Sequence, residues 1–221
     1  MPEFVKGLEL SRLFFEEAVR PALAAEFPTL RYAAALIGTG SEVLGFDTEM
    51  SADHGWGPRV DLFLEEEDFG SAREAIREAL RRRLPHRFRG YPTSFTEPDP
   101  NDNGTQRLDA RDAGPVSHKI ELMTTRGFFA GYLAFDIDEE LGPADWLTFP
   151  EQKLRTVSAG GVFHDRVGLH GFADALLSQI VDERVRRLAA RRPVGGIDLF
   201  SDNTDLVSHA AWRATLRKLY E

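Results

Sequence analysis

The sequence predicts a mixed helix-and-strand fold, an α+β or α/β core followed by a helical tail. Three observations carry this. Two segments, 59–67 (RVDLFLEEE) and 117–125 (SHKIELMTT), alternate apolar and polar residues with the period of a half-buried strand. An apolar run at 30–38 (LRYAAALIG) ends in glycine, as a buried strand feeding a turn does. Stripes at helical spacing lie before, between and after these segments.

The elements follow in order. Leu8, Leu10, Leu13, Phe14, Ala18 and Leu23 form a helical stripe. Pro21 interrupts it, so one helix of about three turns and then a second short turn, or a kink, is expected. In 59–67, Val60, Leu62 and Leu64 share one face and Asp61 and Phe63 the other. Ser71 reads as the N-cap of a helix over 72–84, with Glu74 completing a capping box, arginines at the far end, and Pro85 as the stop. Residues 90–116, including TEPDPNDNGTQ, read as a long loop, either a flap or an insertion. In 117–125, Ile120 and Leu122 face one way and Glu121 the other. FFAGYLAFDI reads as a short helix or an irregular apolar segment, and a helix is expected from about Pro150. Two helices, 172–192 and 209–220, close the chain, joined by turn-rich residues 193–205. The expected division is a domain over 1–165 and a helical extension over 166–221.

Composition narrows the function classes. The 221 residues are 42% hydrophobic and 29% charged, enough for a sizeable core. A net charge of −9 disfavours a whole-surface grip on nucleic acid, which needs clustered Lys and Arg. The absence of cysteine excludes disulfides, zinc-thiolate sites and cysteine nucleophiles. No basic stretch followed by an apolar run opens the sequence, and no window has the ~18 apolar residues of a membrane span, so no membrane partner and a cytoplasmic address are expected.

The stretch ALIGTGSEVLGFDTEMSADHGWGP (35–58) concentrates the chemistry. A glycine turn lets backbone N–H groups approach a phosphate, and a serine hydroxyl adds a donor; Gly38, Gly40 and Ser41 are placed for this. A triphosphate brings magnesium, which wants carboxylate oxygens. Asp53 is the first candidate, and Glu121, on the polar face of its strand, is the third. Gly55 stands where a second is expected, two residues after Asp53. Asp61 shares the parity of Asp53, but eight extended residues span roughly 26 Å unless the chain bends at Gly57-Pro58. Asp47 and Glu49 form another i, i+2 pair. Plainer readings stand beside these. GTGS is also an ordinary strand-to-helix turn, Asp53 a turn or capping residue, His54 a packed or surface imidazole, and Trp56 a core anchor. Lys153 could reach a triphosphate or lie on the surface of a packing helix. His164-Asp165 resembles a catalytic couple only superficially, with no convincing serine nucleophile to complete a triad. The basic run 73–89 is a polyanion patch or a solvated helix face paired with Glu74 and Glu78.

These residues suggest a family. LIGTGSEVLGFDTEMSADHGWGPRVDLFL resembles a segment of an uncharacterised group in the nucleotidyltransferase superfamily, domain of unknown function 4037 (DUF4037). KIELMTTRGFFAGYL, ADWLTFPEQKLRTVSAGGVFHD and GGIDLFSDNTDLVSH are similar to further segments, in order, so the likeness covers most of the chain. It implies an α+β, nucleotidyltransferase-like mixed β-sheet flanked by helices, with a C-terminal helical extension. It also implies transfer of a nucleoside monophosphate from ATP or another nucleoside triphosphate to a hydroxyl, with Mg2+. By that likeness Gly40 and Ser41 match the Gly-Ser turn, Asp53 the first metal carboxylate and Glu121 the third. The expected site is therefore Asp53 and Glu121 as catalytic and metal-binding residues, with Gly38, Gly40, Ser41 and Lys153 on the nucleotide. Two departures stand out. The family pattern Asp-His-Asp-Trp-Gly-Pro is here DHGWGP, with Gly55 for an aspartate, and less helical sequence follows Asp165, as in a shortened member. The acceptor is left open among a small molecule, a tRNA end and a protein side chain. The alternative is a catalytically impaired relative that binds a nucleotide or a partner protein.

Overall fold

The computed structural model describes residues 4–51, 55–134, 136 and 150–169. The N-terminal stripe becomes α1 (Gly7–Phe14) and α2 (Arg20–Glu26), joined by a π-type stretch, Phe15–Val19. The break expected at Pro21 does not occur. Pro21 falls in the first turn of α2, and the wider π turn ahead of it absorbs the missing N–H donor without ending the helix.

Four strands form the main sheet: β1 (Tyr32–Leu36), β2 (Arg59–Leu64), β7 (Lys119–Thr124) and β8 (Gly161–Asp165), in the order β7-β2-β1-β8. β1 runs antiparallel to β2 and β8, while β2 runs parallel to β7, so the sheet is mixed and the fold is α+β. The β2–β7 crossover contains α3 (Glu66–Arg83). This helix starts five residues ahead of the expected Ser71 cap. Glu65 is its extended N-cap, and Glu66, Glu67 and Asp68 place negative charge in its first turn, where the helix dipole favours it. Ser71 Oγ instead donates to the Asp68 carbonyl. The helix ends at Leu84, before Pro85, as expected.

The expected loop 90–116 contains strands too short to leave a readable alternation. β3 (Arg87–Phe88) pairs with β4 (Tyr91–Pro92), and β5 (Ser94–Phe95) with β6 (Leu108–Asp109). The arm beyond β5 and β6 is tied by Thr96 N–H to the Arg107 carbonyl (2.9 Å) and by an isolated Asp99–Thr105 bridge. The sheet is completed by α4 (Thr125–Leu133) and α5 (Glu151–Ser158). Thr124 caps α4, its Oγ1 accepting Gly127 N–H at 3.0 Å. Strand β8 was not foreseen, because GVFHD opens on glycine and is only half-buried.

The period-two prediction for β2 and β7 holds. Val60, Leu62, Leu64, Ile120 and Leu122 are buried with Leu10, Phe14, Ile76 and Leu80 in the core under α1, α2 and α3. Each such side chain contributes about 2 kcal/mol of apolar burial. The opposite face packs Ala33, Ala35, Ile37 and Phe63 against Phe129, Leu133 and Val157 of α4 and α5. The helices expected at 172–192 and 209–220, and with them nearly all of the 166–221 extension, lie outside the described residues. Among the described residues no helix is long and apolar enough to cross a membrane.

Candidate functional site

Strand directions create the site. Because β1 opposes β2 and β2 parallels β7, the C-terminal end of β1 and the N-terminal ends of β2 and β7 meet at one edge. There the chain leaves β1 through Ile37 and makes the glycine turn. Gly38 and Gly40 have φ of 83° and 136°, in the region that favours glycine. A Cβ on Gly40 would stand 2.2 Å from Arg59 Nη2. That arginine clamps the turn to the sheet. Its Nε donates to Glu42 Oε1 at 2.8 Å and its Nη2 to the Thr39 carbonyl at 2.6 Å. The pair is secluded, with Glu42 only 4% and the Arg59 side chain 15% exposed. Sequence reasoning missed both residues, since no local pattern links positions so far apart.

Three of the four expected nucleotide-binding residues come together. A cavity of about 570 Å³ is lined by Gly40 and Ser41 from the turn and by Tyr132, Lys153 and Thr156 from α4 and α5. Lys153 Nζ donates to the Tyr132 carbonyl at 2.5 Å and lies 5.1 Å above that ring. Tyr132 and Thr156 share a hydroxyl hydrogen bond of 2.7 Å. Gly40 is half-buried and Ser41 exposed, and their N–H groups donate to no other described residue. Gly38 is used differently. Its N–H donates to the Thr156 carbonyl at 2.9 Å, which ties the turn to α5.

Asp53 and His54 lie outside the described residues. The described carboxylate beside Glu121 is Asp61, its register partner across the β2–β7 ladder. The linear reach along the chain is irrelevant to this pairing, because adjacent strands stand only about 4.8 Å apart. The chain also bends before β2: Gly55 and Gly57 have φ of 69° and 148°, and Gly55 N–H donates to the Gln106 carbonyl at 2.9 Å. Burial pushes the Asp61 carboxyl up to about 7, against the pull of Arg59 and of the Ile37 N–H it accepts; Glu121 and Glu42 add to the push. Glu121 is exposed. One pair nearer the strand starts, Arg59 and Lys119 are also in register, on the same face. Lys119 is half-buried, 5.4 Å above the Phe95 ring, and burial followed by Arg59 lowers its pKa. A Cβ on Gly55 would stand 2.8 Å from its Nζ.

Among the described residues no group of three or more histidine, aspartate or glutamate side chains is placed to hold a metal. Asp61 and Glu121, in register on adjacent strands, are the described carboxylates that could contribute ligands to such an ion.

The other candidates have structural duties. Asp47, 1% exposed, accepts Gly7 N–H at 2.6 Å and Trp56 Nε1–H at 3.2 Å, and Lys6 Nζ lies 3.5 Å from its Oδ1. It anchors the start of α1 and is no partner for Glu49. Trp56 is a core anchor, stacked on Phe4 with ring centroids 5.6 Å apart. His164 packs against Tyr32 at 4.8 Å, while Asp165 Oδ1 accepts the N–H groups of Val167, Gly168 and Leu169, so they form no catalytic couple. The basic run is a paired, solvated face: Arg77 meets Glu74, Arg82 meets Glu78, Arg83 meets Glu26 and Arg89 meets Glu17.

Compared with protein-family models, curated proteins and solved structures, the chain matches none.

Proposed function

We propose that this chain is a nucleotidyltransferase that moves a nucleoside monophosphate from ATP or another nucleoside triphosphate to a hydroxyl acceptor, with Mg2+. One observation carries the reading. Gly40, Ser41 and Lys153 line one cavity, and Asp61, the register partner of Glu121, accepts the Ile37 N–H at the root of the turn that forms part of its lining. The N–H groups of Gly40 and Ser41, which donate to no other described residue, and the Ser41 hydroxyl are donors for phosphate oxygens. Lys153 adds positive charge from the opposite wall. Asp61 and Glu121 are the side chains that would hold magnesium, which would offset charge on the phosphates; Asp53 is expected to join them. In the transfer a bond forms between the acceptor oxygen and the α-phosphorus, and the bond to the leaving pyrophosphate breaks. The carboxylate pair Asp61 and Glu121 would supply the base that takes the acceptor's proton. The acceptor is a small molecule, a tRNA end or a protein side chain.

The test is transfer of α-labelled nucleotide to mixed cellular acceptors by the full chain, alongside calorimetric titration of each triphosphate with magnesium. Labelled product is expected, reduced about 100-fold or more in Asp61→Asn. A chain that binds none of the triphosphates sinks the reading.

The second reading, an impaired relative that binds nucleotide without transferring it, draws on Gly55, which faces an ammonium where the resembled pattern has a carboxylate. It is favoured if Gly55→Asp transfers label and the parent does not.

A further inference from the structure

We propose that the Tyr132 hydroxyl oxygen is the cavity's hydrogen-bond acceptor for a sugar hydroxyl, so that the chain takes a ribonucleoside triphosphate in preference to its deoxy forms. The inference rests on the nucleotide reading above. Tyr132 and Thr156 both line the cavity, and their hydroxyls are joined by a hydrogen bond of 2.7 Å. Either oxygen could donate in that bond, and the remaining contacts decide which does. Thr156 Oγ1 also stands 3.0 Å from the Lys153 carbonyl, three residues back along α5. A carbonyl only accepts, so this bond takes the single proton of the Thr156 hydroxyl. The proton between the two hydroxyls is therefore the one on Tyr132. With it directed at Thr156, Tyr132 Oη has only lone pairs left to offer a ligand.

The other polar groups around the cavity have the opposite polarity. The N–H groups of Gly40 and Ser41 and the Lys153 ammonium are donors, suited to phosphate oxygens. An oxygen without a proton to give repels those same phosphates and suits a ligand O–H. Its position favours the sugar. A Cβ on Gly38 would stand 3.7 Å from Tyr132 Cε2, the ring carbon beside the one that bears the hydroxyl, and Gly38 N–H donates to the Thr156 carbonyl. The tyrosine oxygen thus lies close to the glycine turn. The part of a nucleotide next to its phosphates is the sugar, while the base lies a sugar's width beyond. The ring is also held in place, stacked on Phe128 with planes 8° and centroids 5.4 Å apart. Its oxygen is therefore aimed before a ligand arrives, which lowers the ordering cost of binding.

The experiment titrates the full chain by calorimetry with ATP, GTP, CTP and UTP and with the 2′-deoxy and 3′-deoxy counterparts of each, with magnesium and no acceptor. The parent is expected to bind its best ribonucleotide about tenfold more tightly than one of the deoxy counterparts. Tyr132→Phe keeps the ring and its stacking, and should bring that ratio within about twofold. Thr156→Val, nearly the same shape, breaks the same hydroxyl bond but leaves the tyrosine oxygen, and should keep the ratio. A purely structural role for the pair would move both variants alike. A parent ratio within about twofold, a ratio unchanged in Tyr132→Phe, or equal losses in the two variants overturns this inference and leaves the nucleotide reading standing. A parent that binds no triphosphate overturns both.

Discussion

The two faces of the sheet are made by alternate residues of the same strands and behave oppositely. On one, Val60, Leu62, Leu64, Ile120 and Leu122 disappear under three helices. On the other, Phe63 is covered by α4, while Arg59, Asp61, Lys119 and Glu121 leave a charged end. The first face carries the apolar burial that holds the sheet. The second holds a carboxyl whose burial disfavours its charged form. Between the two, the Glu42–Arg59 pair fastens the glycine turn to the charged end.

The largest effect expected is at that fastening. Arg59→Met leaves Glu42 buried without its partner and should cost about 3–5 kcal/mol in urea unfolding, with much of the loss recovered by adding Glu42→Gln. A cost below about 1 kcal/mol would mean the pair does not hold the turn. Next comes the apolar face. Leu62→Ala, at a fully buried position, should cost about 3 kcal/mol, whereas Glu121→Gln on the open face should stay within about 0.5 kcal/mol. Equal costs would erase the distinction between the faces.

A pH series sharpens the contrast further. His118 sits between β7 and α3; its Nδ1 accepts Ile120 N–H at 3.2 Å, so Nε2–H donates to the Arg77 carbonyl at 3.3 Å. Burial presses its pKa from 6.5 down to about 4. The unfolded chain therefore binds this proton first. Stability is whole above about 6.5 and falls as the pH drops toward 4, by up to about 3 kcal/mol. His118→Gln should flatten that part of the curve. Asp61 works in the opposite sense. Its folded pKa of about 7 lies above the ordinary 3.8, so its contribution to stability is lost as the pH rises between them. Asp61→Asn should gain about 1–2 kcal/mol at pH 8 while transfer collapses, the pattern of a site maintained against stability. An Asp61→Asn variant that is less stable at pH 8 would remove this carboxyl from the reading.

Legibility followed the range of the interactions. The alternation of β2 and β7 could be read because burial on one face imposes it residue by residue. The start of α3 was misplaced because Ser71 makes a local cap pattern, whereas the three acids ahead of it act through the dipole of the whole helix. The neighbour of Glu121 was missed for a similar reason. Distance along an extended chain was weighed for Asp61, but the contact is made across strands, by register. Gly40, Ser41 and Lys153 were each legible as residue types, and their meeting in one cavity was not.

The sequence alone determined that β1, β2 and β7 are strands, which face of β2 and β7 is apolar, and that a glycine-serine turn follows the first strand, since these depend on neighbours a few positions away. Only the tertiary structure decided that Arg59 locks the turn, that Asp61 stands beside Glu121, and that Gly55 opens onto Lys119. Those are contacts between segments whose separation in sequence carries no distance information, and only strand pairing and packing set them.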